Sequence, residues 1–176
     1  YLQDKDLCLR LSAGLLYSFS NLTLGNPSAS RMGFRNIQEC LRLAEENSAS
    51  EEVMASCVFA GYLATVLMHL PADGLPPLKD FLPYLPVGIR AYAIYILAHN
   101  AYLNEEYERA LGLCQSVFLM LDGCYPIAME YLYCVIIMCL NNQKKHEEAR
   151  EILLKAWNMA KPDGFLEPFI EHHGLM

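Results

Sequence analysis

The sequence predicts an all-α chain built from antiparallel helical pairs stacked side by side. Three observations carry that expectation. Apolar residues recur at three- and four-residue spacing through most of the 176 residues, and no run of five or more alternates as a strand would. The connections between these segments are short, about 2–6 residues, so neighbouring helices must run antiparallel. Finally, two segments align with each other, matching Ala110 to Ala149, 39 residues apart.

In chain order, residues 4–22 carry Leu7, Leu11, Leu15 and Leu22 at helical spacing, and Gly25-Asn26-Pro27 breaks the chain. Ser28 or Ser30 is expected to cap the next helix, about 30–47, whose apolar face is Phe34, Ile37, Leu41 and Ala44. Asn47-Ser48 ends it. Ser50 followed by Glu51, Glu52 and Val53 reads as an N-cap with acidic residues in the first turn, opening a helix that reaches about Leu70. Five prolines (Pro71, Pro76, Pro77, Pro83, Pro86) leave room for one short helix at about 76–83, with Pro at its first position. Helices are then expected at 88–103, 105–121, 125–141 and 144–160, with a closing helix at 164–172. The pairs are thus 4–47, 50–84, 88–121 and 125–160, in a single domain spanning 1–176. The start at Tyr1 and the end at Leu175-Met176, with no stop signal, lead us to expect a fragment of a longer protein.

Composition excludes several functions. Hydrophobic residues make up 54% and charged residues 19%, against about 25% charged in an ordinary soluble domain. A thick core, a partner surface or a membrane must absorb the excess. The most apolar stretch, Tyr125 to Leu140, is interrupted by Glu130 and falls short of the about 20 residues a spanning helix needs. No membrane association is expected, and Asp4, Lys5 and Asp6 stand where a secretory signal would be basic. The net charge is −7, with 13 basic residues scattered among 20 acidic ones, so no basic stripe exists to neutralise phosphates and direct nucleic-acid contact is not expected. Seven cysteines with no C-x-x-C pair fit a reduced, cytoplasmic setting, where free Cys behaves as a small hydrophobe.

The 39-residue unit has a physical logic. Its first helix carries large apolar residues (Ile94, Leu97, Ala98 and Ala101; then Tyr133, Ile136, Ile137 and Leu140), a polar turn follows, and a small Ala110 or Ala149 opens the second helix. Antiparallel helices approach closely only where one side chain is small, and a single pair cannot bury its outer face, so pairs stack. Tyr107-Glu108-Arg109-Ala110-Leu111 and His146-Glu147-Glu148-Ala149-Arg150 resemble the turn and second helix of a tetratricopeptide repeat. The period exceeds that family's 34 residues, and its Trp and Leu-Gly pair are missing. A diverged unit of this length resembles the superhelical sensor region of large ATP-dependent LuxR-type transcription activators, typified by the maltose regulator. The tail Ala156-x-x-x-Ala160-x-Pro162-Asp163-x-x-x-x-Pro168-Phe169-x-Glu171 is similar to the element that closes their repeat array. The resemblance covers roughly the last half of the chain; residues 1–88 carry helical periodicity alone. It implies a tetratricopeptide-like right-handed superhelix that senses a small-molecule inducer or docks a protein partner. DNA binding would lie in another part of the parent, and homo-oligomers are possible. No phosphate loop G-x-x-x-x-G-K-[ST] is present, and no cofactor is expected in this segment. A tetratricopeptide-like scaffold unrelated to transcription is the alternative.

Candidate sites were weighed residue by residue. Tyr92, Tyr95, His99 and Tyr102 recur at spacings of three and four and share one helix face, and Tyr131 takes the equivalent place in the next unit. Such residues, apolar with hydrogen-bonding tips, suit a concave groove that recognises a peptide or sugar. The competing expectation is that the stripe packs against the preceding pair, and burial of three or more of the five would exclude the groove. His172-His173 reads as a solvated helix end rather than a metal site, because adjacent helical residues point apart. His69 and His99 read as structural. Cys57 and His69 lie about 18 Å apart along one helix, too far for a nucleophile and its base. Eight methionines, Met120, Met129, Met138 and Met159 among them, read as pliable core filler. Glu45-Glu46 with Glu51-Glu52 does not have the spacing of a calcium loop. No enzymatic activity is expected, and no catalytic or metal residue is assigned.

Overall fold

The computed structural model describes residues 2–121, 125–172 and 174–176. Among them every regular element is helical: α1 (Leu2–Thr23), α2 (Pro27–Glu46), α3 (Glu51–Leu67), α4 (Leu78–Phe81), α5 (Val87–Leu103), α6 (Tyr107–Leu121), α7 (Pro126–Asn142), α8 (His146–Ala160) and α9 (Glu167–His172). One 3₁₀ turn, Leu82–Tyr84, follows α4, and another, Lys161–Asp163, precedes α9. The helices gather into two compact units, Tyr1–Pro86 and Val87–Met176.

In the first unit α1 packs along α2, and α3 lies against both. The α1–α2 crossing is very close. A Cβ built on Gly33 would stand 2.8 Å from both the Gly14 carbonyl and the Ser18 amide, so only glycine fits. Beside it, buried Ser18 bonds to the Ser30 carbonyl and hydroxyl, each at 3.0 Å. Ser30 therefore does not cap α2, and Ser28 does not either. Asn26 is the N-cap residue, and Pro27 starts the helix, where its missing N–H costs nothing. Ser50 does cap α3, accepting from the Val53 amide at 3.5 Å. The proline-rich stretch reduces the second helix of the next pair to the single turn of α4, held on α3 by fully buried Leu78.

The second unit shows the repeat in its element boundaries. α5 and α7 begin 39 residues apart, at Val87 and Pro126, and end 39 apart, at Leu103 and Asn142. α6 and α8 keep the same offset at both ends. α5 pairs with α6 and α7 with α8, while α7 also packs on α5 and α6. α7 is the central helix, with Leu132, Cys134, Val135, Met138 and Cys139 sealed from solvent. Among the described residues no helix is long and apolar enough to cross a membrane.

The turns explain why the unit repeats. α5 ends with Glu105 in the left-handed region (φ 62°), its amide bonded to the Tyr102 carbonyl and the Glu106 amide to Ala101. α7 ends identically with Lys144 (φ 62°), bonded to Asn141, and Lys145, bonded to Leu140. These bonds satisfy the helix-end carbonyls as a Schellman motif. The next helix then opens with the amides of Ala110 and Ala149 bonded to Glu106 and Lys145. Both alanines are buried, as the close-approach argument requires. The same turn occurs once more, between α1 and α2. Gly25 (φ 73°) bonds to Leu22, Asn26 to Asn21, and the Ser30 amide to Asn26. Ser30 is thus the counterpart of Ala110 and Ala149: small and fully buried.

Candidate functional site

The tyrosine stripe does not line an open groove. Tyr95 and His99 are fully buried, Tyr102 and Tyr131 are 9% and 6% exposed, and only Tyr92 is half-buried. The groove expectation fails its own condition, since four of the five are core. The physical reason is that α5 is covered on more than one side, by α6 and by α7. Tyr131 on α7 comes against α5, its ring 5.2 Å from Tyr92 and 4.8 Å from Tyr95.

Reasoning from the sequence missed the residues that close this cluster. His172 of α9 is fully buried, not a solvated helix end, and its ring lies 4.9 Å from His99, 5.8 Å from Tyr131 and 5.9 Å from Tyr95. His173 lies outside the described residues. The one signal that could have found His172 is the i, i+4 spacing from Pro168, which leaves a free carbonyl below the ring. The His172 Nδ1 lies 2.6 Å from that carbonyl, which can only accept, so Nδ1 carries the proton. In the neutral ring Nε2 then accepts from the Tyr95 hydroxyl at 3.1 Å. Tyr95 has spent its proton, so its oxygen accepts from His99 Nδ1 at 3.2 Å. One directional chain, His99 to Tyr95 to His172 to Pro168, satisfies all three contacts.

A second chain runs alongside. Tyr131 donates to the Glu171 carboxylate and is also bonded to Tyr92. Burial raises Glu171 above the usual carboxylate range, against the opposing effect of the Tyr131 bond. Burial likewise pushes Tyr92, Tyr95 and Tyr131 well above an ordinary phenol. Tyr102 stands at the edge, accepting from Asn142 Nδ2 at 2.9 Å. These groups hold protons in place between helices; none is poised to give one up at neutral pH.

Other sequence candidates fall into structural roles. Burial raises the thiols of Cys57, Cys134 and Cys139 to about 12, and raises Cys114 too, so none is a thiolate nucleophile at neutral pH. Cys124 lies outside the described residues, as does the Met120 side chain; Met138 is fully buried. Glu46 pairs with Arg42, which also binds Glu39 at 2.6 Å, while Glu51 and Glu52 stand in the first turn of α3. Arg42 lines a hollow of about 530 Å³ with Gln38, Leu41, Glu45, Gly74, Leu75 and Pro76, but its guanidinium is already occupied by the two glutamates. Glu130 is buried on α7, and burial raises its carboxyl. No group of three or more metal-ligating side chains occurs among the described residues.

Comparison with models of known families, with curated proteins and with solved structures finds no match to this chain.

Proposed function

We propose that this chain is a signal-sensing or protein-interaction module of the helical-repeat kind, working in the cytoplasm as part of a LuxR-type transcription regulator. The observation that carries the reading is the 39-residue repeat, kept in the boundaries of four helices and in the hydrogen bonds of two turns. Stacked pairs of this kind present extended surfaces to partners. A tetratricopeptide-like right-handed superhelix accounts for both the repeat and the closing helix. The tail that resembles the end of the regulator array folds as α9 and seals the last pair, as a terminal element should. The acidic balance assigns DNA contact to another part of the parent.

An inducer or partner would act by binding two states of the module with different affinity, since equal affinity shifts nothing. With the tyrosine stripe buried, protein docking is favoured over direct capture of a sugar by those five side chains. Calorimetric titration of the chain with candidate sugars and with peptides tests the reading. Saturable heat from peptides supports docking, and saturable heat from a sugar supports inducer sensing. Silence from both sets of titrants, with a parent gene encoding no helix-turn-helix, would leave the scaffold alternative.

A further inference from the structure

The geometry points to a recognition site on α5 and α7 that the chain occupies with its own closing helix. We propose that Tyr92, Tyr95, His99 and Tyr131 form a box for a short helix bearing adjacent carboxylate and imidazole side chains. Glu171 and His172 of α9 fill it in cis, and a partner protein's helix of the same chemistry replaces them. This rests on the reading of the chain as an interaction module.

Three features support it. Rings of Tyr95, His99 and Tyr131 surround the His172 imidazole, and the Tyr95 hydroxyl addresses its Nε2. The Tyr131 hydroxyl addresses the neighbouring Glu171 carboxylate. The box therefore reads two consecutive side chains by direction as well as shape.

Second, α9 is held more by these polar contacts than by apolar burial. Of its six residues only Pro168 and His172 are buried, while Ile170 is 59% exposed. Leu166, just ahead of it, is 39% exposed. Phe169 reaches the Trp157 ring at 6.3 Å, and Asn141 Nδ2 holds the Met176 carbonyl at 3.0 Å. A helix of six residues is far below the length that is stable alone, so α9 is ordered by docking and loses its order on release.

Third, the docked carboxylate is disfavoured in its charged form by burial. An equivalent helix that brings the same two side chains with a larger apolar face would displace α9, against the high local concentration of the tethered segment.

Trp157 is the only tryptophan and touches α9, so its emission reports docking directly. The test uses the whole chain, its His172→Ala variant, and an acetylated peptide of residues 165–176 as probe. The His172→Ala chain should show red-shifted Trp157 emission, reversed by the peptide. The peptide should bind that variant about tenfold or more tighter than the parent chain, since apparent affinity scales with the fraction of open boxes. A peptide with alanine in place of His172 should not bind. Equal binding to both chains, or none to either, overturns the proposal. Should His172→Ala unfold, hydrogen exchange on the parent chain decides. Exchange of the 167–172 amides through local opening, faster than the α7 core, supports a detachable helix; exchange only by global unfolding overturns it. Peptide binding together with silent titrations by sugars and unrelated peptides would keep the box while sinking the regulator reading.

Discussion

At the scale of single residues, three kinds of position carry the structure, and each makes a prediction. Gly33 is fixed by backbone contacts that cannot move aside, so Gly33→Ala should destabilise the first unit by about 2–3 kcal/mol, the upper part of the overpacking range. Chemical denaturation gives the number, and a loss under half a kcal/mol would mean the crossing is looser than described. Lys144 adopts a left-handed conformation that costs a side-chain-bearing residue roughly 1–2 kcal/mol. Lys144→Gly relieves that but gives the unfolded chain roughly 0.4–1 kcal/mol of extra entropy, so the net gain should be about 0.5 kcal/mol, read as a higher Tm. Glu171 has its carboxyl raised in the folded state. The folded state then binds more protons than the unfolded one as pH passes upward through the carboxylate range, and stability falls across that window. Glu171→Gln should match the parent below the ordinary carboxylate pKa and exceed it at neutral pH. Melting curves at acid and neutral pH check this; an identical offset at both would contradict it.

At the scale of elements, the sequence was most legible where the helices are long and periodic. The expected ends of the four helices after residue 88 lie within three residues of those observed, because Asn104-Glu105-Glu106 and Asn142 to Lys145 mark two turns of one design. The equivalent turn at Gly25 was read as a break but not as a member of the same series. Its helices, α1 and α2, run 22 and 20 residues against 17 and 15, so the spacing that reveals the repeat is lost. Ser30 concealed the match further, since a serine there reads as a cap and an alanine reads as a crossing. The tyrosine stripe was legible as a shared face and misread as open. Periodicity shows which residues point together, but not whether a helix 77 residues downstream will bring His172 to cover them. An excised unit of residues 87–176 should keep its helical signal and melt cooperatively, because its helices make their own core. Non-cooperative loss of circular dichroism would contradict that.

At the scale of the molecule, a high apolar content is used for helices that are buried on more than one face, α3 and α7 above all. That is the demand of stacked pairs, and it explains a hydrophobic fraction of 54% in a chain without a membrane-length helix among its described residues. The net charge of −7 leads to a further expectation: fluorescence anisotropy with duplex DNA at low salt should show no saturable binding, and binding there would remove the assignment of DNA contact to another part of the parent. The central claim is that the tyrosine stripe is core, closed by α9. Alkaline titration of tyrosine absorbance, followed alongside circular dichroism, tests it most directly. Of the eleven tyrosines, the exposed ones should ionise reversibly near an ordinary phenol pKa of about 10. Tyr92, Tyr95 and Tyr131 should ionise only in a later, steep step that coincides with loss of helix. A single reversible wave accounting for all eleven would contradict the account.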